Sequence, residues 1–492
     1  MPPKILSADQ IRKSDAYTVL HEPIASINLM ERASMQFVRV IDPYIQDRPT
    51  IHVFCGPGNN GGDGFAVARI LREQKYNVKA YYLKTDKVFS KDCQANFERF
   101  EGSIELREQS GFPKIQSDCI VIDALLGSGC SRPSTGLLRD LIQHLNESGA
   151  RILSIDIPSG LPCDQLPFDS TIINAHFTGT FEYPKLSFFL KESMAYAGNW
   201  SVLPIGLNKD FEALQQTPYH YLTDAFCAAL VRKRAQFSHK GTYGHGLLIA
   251  GSKGKMGAAV LSAKAALRSG IGLLTVHVPG CGYGILQTAV PEAMCETDWN
   301  TDHITAISQD LSPFSAVGIG PGIGTEEGAQ HVLKNLFAHT HPLVIDADAL
   351  NLLAANPELL SALPANAILT PHPKEFERLS SASATSWIRL EKQRSFAIEH
   401  RCIVVLKDAI SSISFPDGHI YFNTTGNPGM ATGGTGDVLT GIITGLLAQG
   451  YSHKEAVLLG VFYHGKAGDT AAAALGENQL IASDVIQYFR LG

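Results

Sequence analysis

Between Asn427 and Leu439 the chain reads Asn-Pro-Gly-Met-Ala-Thr-Gly-Gly-Thr-Gly-Asp-Val-Leu. Proline and glycine keep its first half out of any regular element. Gly433, Gly434 and Gly436 then leave the backbone without Cβ atoms where an apolar series begins: Val438, Leu439, Ile442, Ile443, Leu446 and Leu447. That spacing predicts a buried helix, closed by Gln449-Gly450. A glycine loop opening a helix aims several N–H groups at one point, and the helix dipole adds positive potential there. Such a point holds an anion, most often phosphate. Asp437 would repel that anion. It is either a helix N-cap or a base placed beside a phosphoryl acceptor. A cap needs no three glycines before it, so the base is the favoured reading.

A chain of 492 residues exceeds one ordinary core, which predicts two domains. With 45% hydrophobic and 18% charged residues it is globular, and a net charge of −6 gives no basic footprint for nucleic acid or anionic membrane. The run Arg232-Lys233-Arg234 reads as a solvated face. Nine scattered cysteines, none spaced C-x-x-C, read as reduced thiols of a cytoplasmic protein. The amino terminus lacks the apolar core of a signal peptide, and no uncharged apolar run reaches about 18 residues.

The first half alternates helical and β patterns. Ser7 to Val40 reads as helix. Ile51–Cys55 reads as a strand running into the loop Gly56-Pro-Gly-Asn-Asn-Gly-Gly-Asp-Gly64, with a helix from Phe65. Strands are also predicted at Val78–Leu83, Cys119–Asp123, Arg151–Asp156 and Trp200–Ile205. This pattern is that of a parallel sheet, whose ligands bind at the carboxyl ends of the strands. Three polar features fall there: Asn59-Asn60-Gly61-Gly62-Asp63; Asp123 with Gly127-Ser-Gly-Cys-Ser-Arg-Pro133; and Asp156 with Pro158-Ser159-Gly160. Neither glycine loop matches a standard nucleotide fingerprint. Asp123 and Asp156 either cap βα turns or, with the Asn-Asn loop, form an oxygen site for a monovalent ion or Mg²⁺. Lys185 reads as an exposed turn lysine.

The polar stretch from Lys209 to Tyr221 marks the boundary, giving domains 1–215 and 220–492. In the second, strands at Gly246–Ala250, Leu273–Val278, Ala316–Gly320, Leu343–Asp346, Ala367–Thr370 and Cys402–Lys407 run into glycine or polar loops, and a hairpin follows at Ile413–Phe422. Ser452-His-Lys-Glu455 is a capping box. His372 is either a plain loop histidine or a residue facing the same crevice as Asp437. Lys407 ends an apolar strand, where a cation calls for a phosphate partner.

The second half resembles the ribokinase-like NAD(P)H-hydrate dehydratases in Lys240-Gly-Thr-Tyr-Gly-His-Gly246, Gly320-Pro-Gly-Ile-Gly324, Asp346-Ala-Asp-Ala-Leu350, Thr370-Pro-His-Pro-Lys-Glu375 and the Asn427–Asp437 stretch. The first half resembles the NAD(P)H-hydrate epimerases in Leu29-Met-Glu-Arg-Ala33, Gly56–Gly64, Asp123-Ala-Leu-Leu-Gly-Ser-Gly129 and Asp156-Ile-Pro-Ser-Gly160. Both in this order is the arrangement of the bacterial bifunctional NAD(P)H-hydrate repair enzymes. The resemblance implies an α/β protein with a Rossmann-like three-layer sandwich followed by a ribokinase-like one.

For the first domain it implies exchange between the R and S epimers of hydrated NADH or NADPH. Substrate contacts would come from Asn59, Asn60, Gly61, Gly62, Asp63, the loop Gly127, Ser128, Gly129, Cys130, Ser131, Arg132, Pro133, and Asp156. Potassium would lie near Asn60, Asp123 and Ser159, and Asp156 would handle the proton. For the second it implies dehydration of the S form at the expense of ADP, with Mg²⁺, and with Asp437 as base. Lys407, Asp408, Ala409, Ile410, Ser411 and Gly436 would hold the nucleotide; Ala258, Gly322 and His372 would line the hydrate pocket. A homo-oligomer is also implied.

The sequence departs from the family pattern in three places. Lys374 stands where His-Pro-Gly-Glu is usual, Asp408 and Ile410 replace two nucleotide-loop glycines, and no glycine follows Lys185. The alternative is a ribokinase-like kinase of a small alcohol carrying a non-catalytic nucleotide-binding module.

Overall fold

In the computed structural model, which describes residues 2–307 and 310–492, the chain forms two compact units, Lys4–Thr217 and Pro218–Gly492, the latter joined by the first residues of the chain. Between Lys209 and Tyr221 lie a short helix, Lys209–Leu214, and a strand, Tyr219–Tyr221.

The first unit holds seven strands: β1 (Ile51–Cys55), β2 (Val78–Leu83), β3 (Ile104–Leu106), β4 (Ile120–Ala124), β5 (Arg151–Ile155), β6 (Phe177–Phe181) and β7 (Asn199–Leu203). They pair in the order β3-β2-β1-β4-β5-β6-β7, all parallel. A strand buries alternate side chains on opposite faces, so an all-parallel sheet needs cover on both. Ile51, Val53 and Cys55 enter one core and Phe54 the other. The strand order reverses at β1 and β4, whose carboxyl ends open the crevice where ligands of such sheets bind. β3 and β6 lack the apolar runs that mark the others. The single helix read over Ser7–Val40 is two, Ala8–His21 and Ser26–Val40. Pro23 removes a backbone donor and disfavours helix at the residue before it.

The second unit holds β8 (Tyr219–Tyr221), β9 (His245–Ile249), β10 (Leu273–Val278), β11 (Met294–Thr297), β12 (Ala316–Ile319), β13 (Leu343–Ile345), β14 (Ile368–Leu369), β15 (Ile403–Leu406), β16 (Ser411–Ser414) and β17 (Ile420–Asn423). Their order is β11-β10-β9-β12-β13-β14-β15-β16-β17-β8. The run from β11 to β15 is parallel, and β15-β16-β17 is antiparallel, as the hairpin pattern predicts. Leu248 and Ala250 face one core, Leu247 and Ile249 the other.

The helices Met256–Arg268 and Thr435–Ala448 pack together on one face of this sheet. A Cβ at Gly441 would lie 2.1 Å from the Ser262 carbonyl oxygen, and one at Gly445 2.1 Å from Ser269 Oγ. Glycine is what lets the two backbones approach so closely. Ile442, Ile443 and Leu446 are fully buried, each worth roughly 1.5–3 kcal/mol relative to exposure. Among the described residues no helix is long and apolar enough to cross a membrane.

Candidate active sites

In the first unit the segment read as a loop through Gly64 is helical from Asn59 to Glu73. Its glycines serve close packing, not a loop. A Cβ at Gly61 would lie 1.8 Å from the Gly56 carbonyl oxygen, and one at Gly64 2.6 Å from Ala124 Cβ. The helix start is thereby pressed onto the carboxyl ends of β1 and β4. It brings Asn60 and Asp63 there, both 8% exposed, while Asn59 faces solvent.

Asp123 is fully buried. Its carboxylate accepts from Ser159 Oγ, from the Ser159 N–H at 2.8 Å, from Ser154 Oγ at 2.9 Å and from the Leu125 N–H at 3.3 Å. Burial pushes its pKa up, against the pull of these donors. Asn60 Nδ2 donates at 2.9 Å to the Leu126 carbonyl, which also lies 3.3 Å from Ser159 Oγ. Asn60, Asp123 and Ser159 therefore meet at one place. Gly127 packs on Asn60, where a Cβ would come within 3.1 Å. Beyond it Gly129, Ser131, Arg132 and Pro133 are exposed, and Ser128 and Cys130 half-buried.

Asp156 has φ +66°, a conformation that costs a residue with a side chain roughly 1–3 kcal/mol and concentrates at functional sites. Its Oδ1 accepts from the Phe181 N–H at 3.0 Å and from Lys185 Nζ at 2.7 Å. Lys185, expected in an exposed turn, is wholly buried. Its ammonium also donates to Thr180 Oγ1 at 2.9 Å and to the Tyr183 carbonyl at 3.1 Å. A buried ammonium persists only when so paired. The available signal was its setting, Pro184-Lys185-Leu186-Ser187-Phe188-Phe189. Asp15, by contrast, had no sequence signal: burial, then the charge of Asp156, raises its carboxyl to about 7. The same two causes raise Asp63 well above the usual carboxylate range.

In the second unit the helix Thr435–Ala448 is capped by Gly434, left-handed at φ +95°, and Gly450 closes it at φ +84°. Asp437 lies inside the first turn and is not the cap. A Cβ on Gly433 would meet nothing within 4 Å, so this stretch of the nest is open. Lys407 does not stand unpaired awaiting phosphate: its Nζ donates at 2.8 Å to Asp346 Oδ1, and Asp346 Oδ2 accepts from Thr440 Oγ1 at 2.6 Å. Nζ also lies 3.2 Å from where a Gly436 Cβ would be. Lys407 thus borders the nest while held by a carboxylate 1% exposed. Burial first, then the charge of Asp346, raises Asp437 to about 6, against the pull of Lys407. His464 Nε2 lies 3.0 Å from the Thr435 carbonyl, and burial lowers its pKa to about 4, so it is neutral and donates.

The other expected residues divide. A Cβ at Gly322 (φ +65°) would sit 3.2 Å from Ala258 Cβ, so these two adjoin. His372 caps the helix Pro373–Leu379: Nδ1 accepts from the Glu375 N–H at 3.3 Å while Glu375 Oε2 accepts from the His372 N–H at 2.8 Å. Lys374 is the second residue of that helix, where no glycine is needed. Asp408 is exposed and bound by Arg389 at 2.5 Å, beside Ala409 and Ile410 in the turn after β15; Ser411 already belongs to β16. Asp346 and Asp348 entered the sequence reading as loop polarity and as part of a family motif, without a site role. Asp348 Oδ2 accepts from the Gly324 N–H at 2.9 Å and pairs with Lys255.

Two carboxylate sites at strand ends, one beside a glycine nest, narrow the field, and comparison with known proteins decides it. The model of the YjeF-related protein N-terminus matches residues 26–187, and that of NAD(P)H-hydrate dehydratase matches 246–489. The bifunctional NAD(P)H-hydrate repair enzyme of Moorella thermoacetica is 34% identical over 98% of this chain and 95% of its own length. This chain belongs to the bifunctional NAD(P)H-hydrate repair enzymes. The Escherichia coli member of that family is 31% identical over 99% of this chain and 93% of its own. Among solved structures, the ADP/ATP-dependent NAD(P)H-hydrate dehydratase of Bacillus subtilis, co-crystallised with ATP and Mg²⁺, is 33% identical. It covers 55% of this chain and 95% of its own at a TM-score of 0.50. Membership in the repair family favours repair over the alternative of a small-alcohol kinase.

Proposed function

We propose that this enzyme repairs hydrated NADH and NADPH: unit 4–217 exchanges the R and S epimers, and unit 218–492 dehydrates the S form at the expense of ADP. The observation that carries this is Asp437, a half-buried carboxylate raised to about 6, in the first turn of a helix opened by a glycine nest. A base with that pKa is mostly ionised at neutral pH yet basic enough to accept a proton in the transition state.

Asp437 takes the proton of the substrate hydroxyl as its oxygen bonds to the terminal phosphorus of ADP. The bond from that phosphorus to the departing AMP breaks. The N–H groups of Gly433–Gly436 stabilise the transferring phosphoryl group, and Lys407 adds charge at its edge. The ring nitrogen lone pair then expels phosphate from the substrate carbon, and loss of a proton from the adjacent carbon restores the dihydronicotinamide. Lys407, Asp408, Ala409, Ile410, Ser411 and Gly436 line the nucleotide's side; Ala258, Gly322 and His372 line the hydrate's.

Mg²⁺ would screen phosphate charge. Both oxygens of Asp346 are engaged by Lys407 and Thr440, and Asp348 is engaged by Gly324 and Lys255. The residues therefore fit an ion that enters on the nucleotide's phosphates, not one caged by protein.

In the first unit Asp156 is the proton-handling group, held by Lys185 at 2.7 Å. Asn60, Asp63, the Gly127–Pro133 loop and Asp156 are assigned to the substrate. Oxygen donors from Asn60, Asp123, Leu126 and Ser159 fit potassium, and a cation there would offset the burial that raises Asp123. Nine free cysteines support a reducing, cytoplasmic setting.

Incubation with hydrated NADH and ADP tests the assignment. Recovery of the dihydronicotinamide absorbance with release of AMP and phosphate is expected. A lasting phosphoester with no recovery would overturn it.

A further inference from the structure

A cavity of 510 Å³ in the second unit lies at the carboxyl ends of the helices Met256–Arg268 and Thr435–Ala448. Asp437 is at the other end of the latter helix, roughly 18 Å along its axis. The cavity is lined by Arg232, Lys233, Arg234, Arg268 and Arg490, and no carboxylate is among its lining residues. The run Arg232-Lys233-Arg234, which in the sequence looked like a solvated face, is part of this wall.

Three of the five cations have structural employment. Arg232 Nη1 donates at 3.0 Å to the Gly450 carbonyl, just past the Thr435–Ala448 helix. Arg234 Nη2 donates to the Gly270 carbonyl, just past Met256–Arg268. Arg490 Nη1 donates at 2.7 Å to the carbonyls of Gln487 and Phe489, ending Ala482–Tyr488. The simplest account of the cluster is that arginines neutralise helix ends.

The charges do not close on that account. Three helix ends carry roughly −0.5 each, and Glu455, bound to Arg232 at 2.9 Å, adds one more negative charge. The carboxylate of Gly492, which packs on Val231 of the wall, adds another, and against five cations this leaves an excess of about +1.5. Lys233 and Arg268 are exposed, and their side chains make no hydrogen bond or ion pair among the described residues. The wall is also held in place: the Arg232 guanidinium stacks 4.5 Å over Tyr451, and that of Arg234 4.0 Å over Tyr243. Planar guanidiniums fixed this way lose little freedom when they bind an anion.

We propose that this cavity is a second anion site, which takes a small phosphorylated metabolite carrying at least two negative charges. The concave, ring-lined shape suits a small molecule, and the net charge of −6 works against a nucleic acid strand.

Inorganic pyrophosphate is the probe, titrated calorimetrically at low salt into the full-length protein and into Lys233→Ala/Arg268→Ala. Both positions are exposed and outside the repair machinery, so repair turnover without pyrophosphate is expected to be unchanged. By the proposed function, the glycine nest should take pyrophosphate as well. The wild-type isotherm should therefore contain two sites, one of them weakened about tenfold or more in the variant. A crystal soak should show density between Lys233 and Arg268 that the variant lacks. Equal site number and affinity in the two proteins, with no density in the cavity, would overturn the proposal.

Discussion

The ammonium of Lys185 lies 2.7 Å from Asp156 Oδ1, with side-chain exposures of 0% and 13%. Removing one partner of a buried ion pair leaves an uncompensated charge and costs about 3–5 kcal/mol. Lys185→Met should therefore lower the melting temperature of the first unit and reduce epimer exchange, followed by NMR, to the uncatalysed rate. The double variant Asp156→Asn/Lys185→Met should regain much of the stability without regaining exchange. Wild-type exchange in Lys185→Met would show that the pair is structural alone.

Asp437 must be ionised to accept a proton, and its pKa is raised to about 6. The dehydratase kcat/KM should fall tenfold per pH unit below about 6. Asp346 is the largest like charge acting on it, so Asp346→Asn should move this acidic limb to lower pH. A limb that stays in place would assign it to another group.

The nest can be probed without disturbing the fold. A methyl at Gly433 meets nothing within 4 Å, whereas one at Gly436 comes 3.2 Å from Lys407 Nζ. Gly433→Ala should melt like wild type yet lose about 10-fold or more in dehydratase kcat, because the methyl occupies the space of the transferring group. Gly436→Ala should displace Lys407 and raise the KM for ADP. Unchanged kinetics in Gly433→Ala would place the phosphoryl group elsewhere.

His464 couples the second unit's stability to pH. Its folded pKa, about 4, lies below the ordinary 6.5 of an unfolded chain, so the unfolded state binds the extra proton. The contribution is whole above pH 6.5 and is lost as pH falls toward 4, up to about 3 kcal/mol. Denaturant melts should show wild type weakening across that window, and His464→Gln weakening less. Parallel curves would contradict the assignment.

The sequence was most legible where physics is local. Apolar strands ending at polar loops, the Thr435–Ala448 helix with its Gly450 stop, and the β16-β17 hairpin all follow from periodicity and turn chemistry. Asn59–Asp63 misled because glycine marks both loops and close helix packing, and only the position of β1 and β4 tells them apart. The partners of the site residues were hidden by distance along the chain. Lys185 reaches Asp156 across 29 residues, Lys407 reaches Asp346 across 61, and Thr440 reaches it across 94. No periodicity spans such gaps. Asp15, Asp346 and Thr440 enter the sites through the winding of the sheets.

The central claim is that Asp437 removes the proton of the substrate hydroxyl during phosphoryl transfer. Asp437→Asn keeps the shape of the side chain and removes the base. Dehydratase kcat, measured at saturating ADP and hydrated NADPH, should fall about 10²–10⁴-fold, while epimer exchange by the same protein stays at the wild-type rate. A dehydratase kcat within a few-fold of wild type would contradict the account.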